Sequence, residues 1–139
     1  FLREESDKPI IFIAGGTGFG PIKAILEYLI TTDSQRDVYL YWGARDEVDL
    51  YSGLPIEWAE KYSNISFVPV LSEANGFWKG EHGYVHESVI RDFDDLSDYE
   101  VYACGPPVMV KAAAKNCLEK GLKKDNFYSD SFEYAFESS

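Results

Sequence analysis

The stretch IFIAGGTGFGPIKAILEYL, residues 11–29, decides how the rest of the chain is read. It follows directly on Pro9-Ile10, and together they make residues 9–14 (PIIFIA) a continuous apolar run, the mark of a β-strand buried on both faces. Helical periodicity begins soon afterwards, over residues 20–31, with Ile22, Ile25, Leu26 and Leu29 on one stripe. Between strand and helix, Gly15, Gly16 and Gly18 give up side chains. Two explanations stand. A phosphate group suits bare backbone N–H groups at the positive end of a helix, and glycine gives it room and positive φ. Alternatively, a tight turn lets helix and strand pack closely. Thr17 adds a hydroxyl donor for the first explanation. Gly16-x-Gly18-x-x is followed by Pro21 where the usual dinucleotide fingerprint has glycine, and no Gly-Lys-Ser/Thr follows to make a P-loop.

Composition bounds the answer. With 139 residues, 45% hydrophobic and 27% charged, the chain suits one soluble globular domain with a sizeable core. No apolar run approaches the roughly 20 residues that cross a bilayer, and a signal peptide's basic stretch and apolar core are lacking. The expectation is a cytoplasmic protein without a membrane span. The net charge of −11 argues against nucleic-acid binding and suits either solubility or docking onto a basic partner. Cys104 and Cys117 have no CxxC spacing. An iron–sulfur cluster needs about four thiolates, so two cysteines cannot hold one. A disulfide does not suit the expected compartment.

Further strands are expected at 37–42 (DVYLYW), 65–70 (ISFVPV), 99–104 (YEVYAC) and 126–130. Helices are expected after Pro55, near 85–92, and over 106–119 after Pro106-Pro107. Strands alternating with helices imply right-handed parallel crossovers. The predicted fold is an α/β, doubly wound, five-stranded parallel sheet, order 3-2-1-4-5, with helices on both faces. In that order the first and fourth strands are neighbours and the winding reverses between them, where open parallel sheets bind ligands. The loops arriving there are Gly15–Pro21 and Cys104–Pro107.

GGTGFGP (15–21) after one strand and ACGPPVM (103–109) after a later one resemble the pyridine-nucleotide domain of the ferredoxin–NADP reductase superfamily. The nearer resemblance is to its bacterial NAD(P)H–flavin reductases and oxygenase reductases. YWGARDEVDLY (41–51), WKGEHGYV (78–85) and FYSDSFEYAF (127–136) look like the same branch. The resemblance implies a cofactor, NADH or NADPH, and FAD bound mainly by a preceding barrel domain. It implies hydride transfer from nicotinamide C4 to flavin N5, then electron passage to an iron–sulfur domain, ferredoxin, oxygenase or free flavin. Residues 1–8 would be the tail of the flavin-binding domain and 9–139 the NAD(P)H-binding domain. This chain alone should lack turnover. A non-redox nucleotide-binding or regulatory module is the rival reading.

The resemblance also assigns roles. Gly15, Gly16, Thr17, Gly18 and Pro21 would form the diphosphate loop. Cys104 would lie beside the reacting carbon, with Gly105, Pro106 and Met109 turning into a helix under the ring. A small polarizable thiol suits that place, as a buried structural cysteine also would. Gly43 and Arg45 would reach ribose or phosphate, the other reading of Arg45 being an ion pair with Asp46 or Glu47. At Ser72-Glu73, NADPH-preferring relatives carry serine followed by arginine. A carboxylate there repels a 2′-phosphate, so NADH is expected. Trp78 would cover the adenine end or plug the sheet edge. Asp130 would orient the nicotinamide or relay a proton. Phe132, or Tyr134 and Phe136 beyond it, would cover the flavin, or Phe132 would pack at the strand end. His82 and His86 are four apart, but Gly83 intervenes and no third metal ligand is evident.

Overall fold

The apolar run at residues 9–14 becomes the middle of a parallel sheet. The structure, a computed structural model, describes residues 6–74 and 76–131. Phe132, Tyr134, Phe136 and residues 1–5 of the expected tail lie outside the described residues. Strands β1 (Ile10–Gly15), β2 (Val38–Ala44), β3 (Ile65–Leu71), β4 (Glu81–His82), β5 (Glu100–Gly105) and β6 (Phe127–Ser131) form one sheet. Their order is β4-β3-β2-β1-β5-β6, every pair parallel. Helices α1 (Phe19–Thr31), α2 (Leu54–Lys61), α3 (Val85–Asp92) and α4 (Pro107–Glu119) make the crossovers. The sheet therefore has six strands, not five. The five expected strands keep their order, and β4 is added outside β3 through Val70↔Glu81 and Leu71↔His82. A two-residue strand is too short to show alternation, so sequence pattern cannot find it.

Both faces of β1 are sealed, which accounts for its unbroken apolar run. Ile10, Phe12 and Ala14 join one core, with Phe19, Ile22 and Leu26 of α1 and Trp58 of α2. Ile11 and Ile13 join the other, with Val85 and Val89 of α3 and Val110 and Ala113 of α4. Aromatic packing stiffens the first face near the top of the sheet. Phe19 stacks on Trp42 at 4.2 Å between ring centroids, and Tyr51 meets Trp42 edge-on at 5.0 Å. Such pairs add about 0.5–1.5 kcal/mol each beyond the area they bury.

The opposite, N-terminal pole of the sheet holds a buried ion pair. Arg36 Nη2 donates to Glu100 Oε1 at 2.9 Å, with 6% and 4% of the two side chains exposed. Arg36 Nε donates to the Lys8 carbonyl, and Ser6 Oγ donates to Glu100 Oε2 at 2.7 Å. These bonds tie the chain entering β1 to the starts of β2 and β5. Removing one charge strands the other in the interior. We predict that Glu100→Ala lowers unfolding free energy by about 3–5 kcal/mol in urea titrations, and that Arg36→Met with Glu100→Leu recovers most of the loss.

Candidate functional site

At the carboxyl end of β1 the chain must turn sharply into α1. Gly16 takes φ +56°, a left-handed conformation that side chains disfavour, and a Cβ there would meet no atom within 4 Å. Its carbonyl accepts a hydrogen bond from Trp42 Nε1 at 2.9 Å. Gly18 is glycine for the other reason. A Cβ on it would run into the Cys104 carbonyl and lie 3.0 Å from the Gly105 nitrogen. The close-packing explanation holds at Gly18, which lets the loop press on the end of β5, while Gly16 shapes an open turn. No side chain caps the 13-residue helix α1. Phe19 N–H turns back to the Thr17 carbonyl and Pro21 has no N–H, so this end offers a ligand chiefly the positive end of its dipole.

The two loops at the winding reversal meet. Gly15 lies against Met109 and Pro106, with 3.2 Å between a Cβ built on it and Pro106 Cδ. A groove of about 720 Å³ opens above them. Gly15, Gly16, Thr17, Gly43, Arg45, Ser72, Pro106 and Met109 were all expected as binding residues from sequence, and all line it. Gly18 and Gly105 lie buried beneath it, with Cys104. Pro21 sits in the first turn of α1 and does not line the groove.

Arg45 is exposed at the rim. Its Nε lies 3.4 Å from Glu73 Oε2, so its ion-pair partner is Glu73 and not Asp46 or Glu47. The backbone reinforces this pairing, since Glu73 N–H donates to the Arg45 carbonyl at 2.7 Å. Trp78 lies away from the groove. Its indole lies against Gly80, and Nε1 donates to the Glu81 carbonyl of the edge strand β4 at 2.9 Å.

Cys104, the penultimate residue of β5, is wholly buried, in register with the exposed Asp130 of β6. Burial, helped by the Asp130 charge, pushes its thiol up to about 12. It is a neutral packing group at neutral pH and not a thiolate nucleophile. Cys117, buried between α4 and the sheet, is likewise pushed up to about 12 by burial. His86 lines the groove, while His82 sits in β4 at the sheet edge. Among the described residues, no three His, Cys, Asp or Glu side chains converge as a metal site. No helix there is long and apolar enough to cross a membrane.

Sequence reasoning passed over several groove residues. Val48 and Tyr51 close one side, Val108 stands beside Pro106, and Tyr84 and His86 make the wall near β3. Val48 and Val108 are each 81% exposed and Tyr84 62%. Tyr84 and His86 lie on either side of the last residue of the WKGEHGYV segment, whose likeness to relatives was the available signal.

The oxidoreductase NAD-binding domain model matches residues 12–115, and the chain belongs to that family. It is 44% identical over 132 residues to the CDP-6-deoxy-L-threo-D-glycero-4-hexulose-3-dehydrase reductase of Yersinia pestis, covering 95% of this chain and 40% of that protein. It is 40% identical to the NAD(P)H-flavin reductase of Aliivibrio fischeri, covering 96% and 57%. Among solved structures, the Amycolatopsis cytochrome P450 reductase GcoB superposes with a TM-score of 0.86 at 30% identity, covering 93% of this chain and 39% of that one. The chain thus spans about two fifths to three fifths of the length of these relatives. Its fold is that of the NAD-binding domain in ferredoxin-reductase-like oxidoreductases.

Two predictions follow from this geometry. Gly18→Ala should cost about 1–3 kcal/mol of unfolding free energy or more by overpacking against rigid backbone. Gly20→Ala, where a Cβ meets nothing within 4 Å, should be neutral or stabilise by up to about 1 kcal/mol. The raised thiols also set a pH dependence. Each free thiol ionises near 9.0 when unfolded and only near about 12 when folded. The stability they confer is complete below pH 9 and is lost as pH rises toward 12, by up to about 1.4 kcal/mol per pH unit per thiol. Urea midpoints between pH 8 and 11 measure the decline, which Cys117→Ala should reduce.

Proposed function

We propose that this chain is the pyridine-nucleotide-binding unit of a flavin-dependent reductase and that it favours NADH. The observation carrying this reading is the convergence, in one groove at the winding reversal, of the open Gly16 turn and an uncapped α1 N-terminus with Pro106 and Met109. The residues present fit a dinucleotide. Gly15 to Gly18 would hold the diphosphate through backbone N–H groups at the positive end of α1, with the Thr17 hydroxyl beside them. Tyr84 and His86 would take adenine, and Gly43, Arg45 and Ser72 the adjoining ribose.

Pro106, Met109 and the buried Cys104 would shape the nicotinamide end. The bound cofactors supply the redox chemistry, a hydride equivalent passing from nicotinamide to flavin. The chain's own part is to hold and orient. Cys104, protonated and packed, presents sulfur without competing for the hydride, and the exposed Asp130 beside it would orient the ring or relay a proton. FAD would be held mainly by a flavin-binding domain of the same protein. Electrons would pass onward to free flavin, which the name NAD(P)H-flavin reductase supports, or to an iron–sulfur centre or an oxygenase.

Glu73 supports the preference for NADH. It occupies Arg45, a cation at the rim, and would add a negative charge where a 2′-phosphate would sit. Steady-state kinetics of the flavin-loaded reductase with both nucleotides tests this. NADH should give the higher kcat/KM, and Glu73→Gln should raise kcat/KM for NADPH about tenfold. A higher value for NADPH in the unmutated protein contradicts the preference. Absence of NADH oxidation by the flavin-loaded protein contradicts the reductase reading itself.

A further inference from the structure

Asn116 lies on α4, outside the groove, yet its side chain makes a long-range hydrogen bond that reaches the groove wall. Asn116 Nδ2 and His86 Nδ1 are 2.9 Å apart, across 30 residues of sequence. His86 lines the groove and stands on the second residue of α3. Its ring is within 5° of parallel to that of Tyr84, with centroids 6.0 Å apart. Tyr84 is held in turn by its own backbone, since its N–H donates to Glu87 Oε1 at 3.2 Å.

A neutral imidazole has one donor nitrogen and one acceptor nitrogen, and the bond made by one decides the role of the other. An amide N–H donating to Nδ1 makes Nδ1 the acceptor and leaves the proton on Nε2. His86 then offers the groove a donor. The ring nitrogens N1, N3 and N7 of adenine are acceptors. Without Asn116 the ring is free to exchange tautomers and to leave its plane beside Tyr84.

We infer that Asn116 is a positioning residue for the nucleotide: it fixes His86 as an Nε2–H donor facing the adenine half of the cofactor. This rests on the reading that the groove holds NADH. Asn116 touches no part of the cofactor, and its effect passes through His86.

Imidazole nitrogen NMR and calorimetry with ADP, which carries the adenine and diphosphate but no nicotinamide, test the inference on the purified protein. The unmutated protein should show His86 protonated at Nε2, with that signal moving as ADP binds. Asn116→Ala should mix the tautomers and weaken ADP binding about three- to tenfold, the scale of one neutral hydrogen bond. In a His86→Gln background, which keeps a side-chain donor but has no tautomer, Asn116→Ala should change affinity less than about twofold, within the limits of additivity. A proton on Nδ1 in the unmutated protein overturns the inference without need of any variant. So does an equal loss in both backgrounds, or unchanged affinity in Asn116→Ala. If ADP binds the unmutated protein nowhere, the groove reading falls and this inference with it. ADP binding that ignores Asn116 removes the inference alone.

Discussion

The arrangement depends on one close contact: the backbone of Gly18 against the carbonyl of Cys104. A side chain at residue 18 would hold the β1–α1 loop off the end of β5. The winding reverses between these two strands, so the loop and the Cys104–Pro107 turn can share one groove only if their backbones touch. The stacked Phe19–Trp42 pair and the bond from Trp42 to the Gly16 carbonyl hold the loop down from the β2 side. The site is thereby built on three adjacent strands, and its shape is set by backbone and packed aromatics before any ligand arrives.

Burial divides the labour among the chemically active groups. Cys104 is enclosed and kept protonated, so it acts by shape. Arg45 and Glu73 sit at the rim in solvent, where an ion pair contributes little to stability and would be free to act on charge selection. The Arg36–Glu100 pair is the reverse case. Enclosed at the far pole, it fixes how the entering chain meets β2 and β5, and it lies at the other end of the strands from the groove.

Much of this was legible in the sequence. The run Ile10–Ala14 announced a strand sealed on both faces, and the order of the five longer strands followed from right-handed crossovers. The glycines at 15–18 and the turn at 104–107 named most of one side of the groove. The rest depends on contacts that sequence does not carry. Strand β4 is two residues long and exists because β3 offers it an edge. Arg36 and Glu100 are 64 residues apart, and nothing local to either marks it as buried. Tyr84 and His86 look like ordinary helix-start residues until α3 is docked beside β2. Trp78 was legible as a large loop aromatic, but only the bond from its indole to Glu81 places it over the sheet edge.

Amide chemical-shift mapping of the protein during titration with NAD⁺ tests the central claim most directly. The account requires the largest shifts at Gly15 to Gly18 and at Gly105, Val108 and Met109 together, with Tyr84 and His86 moving in the same saturable transition. Shifts confined to one of the two loops, or centred at the Arg36–Glu100 pole, would contradict it.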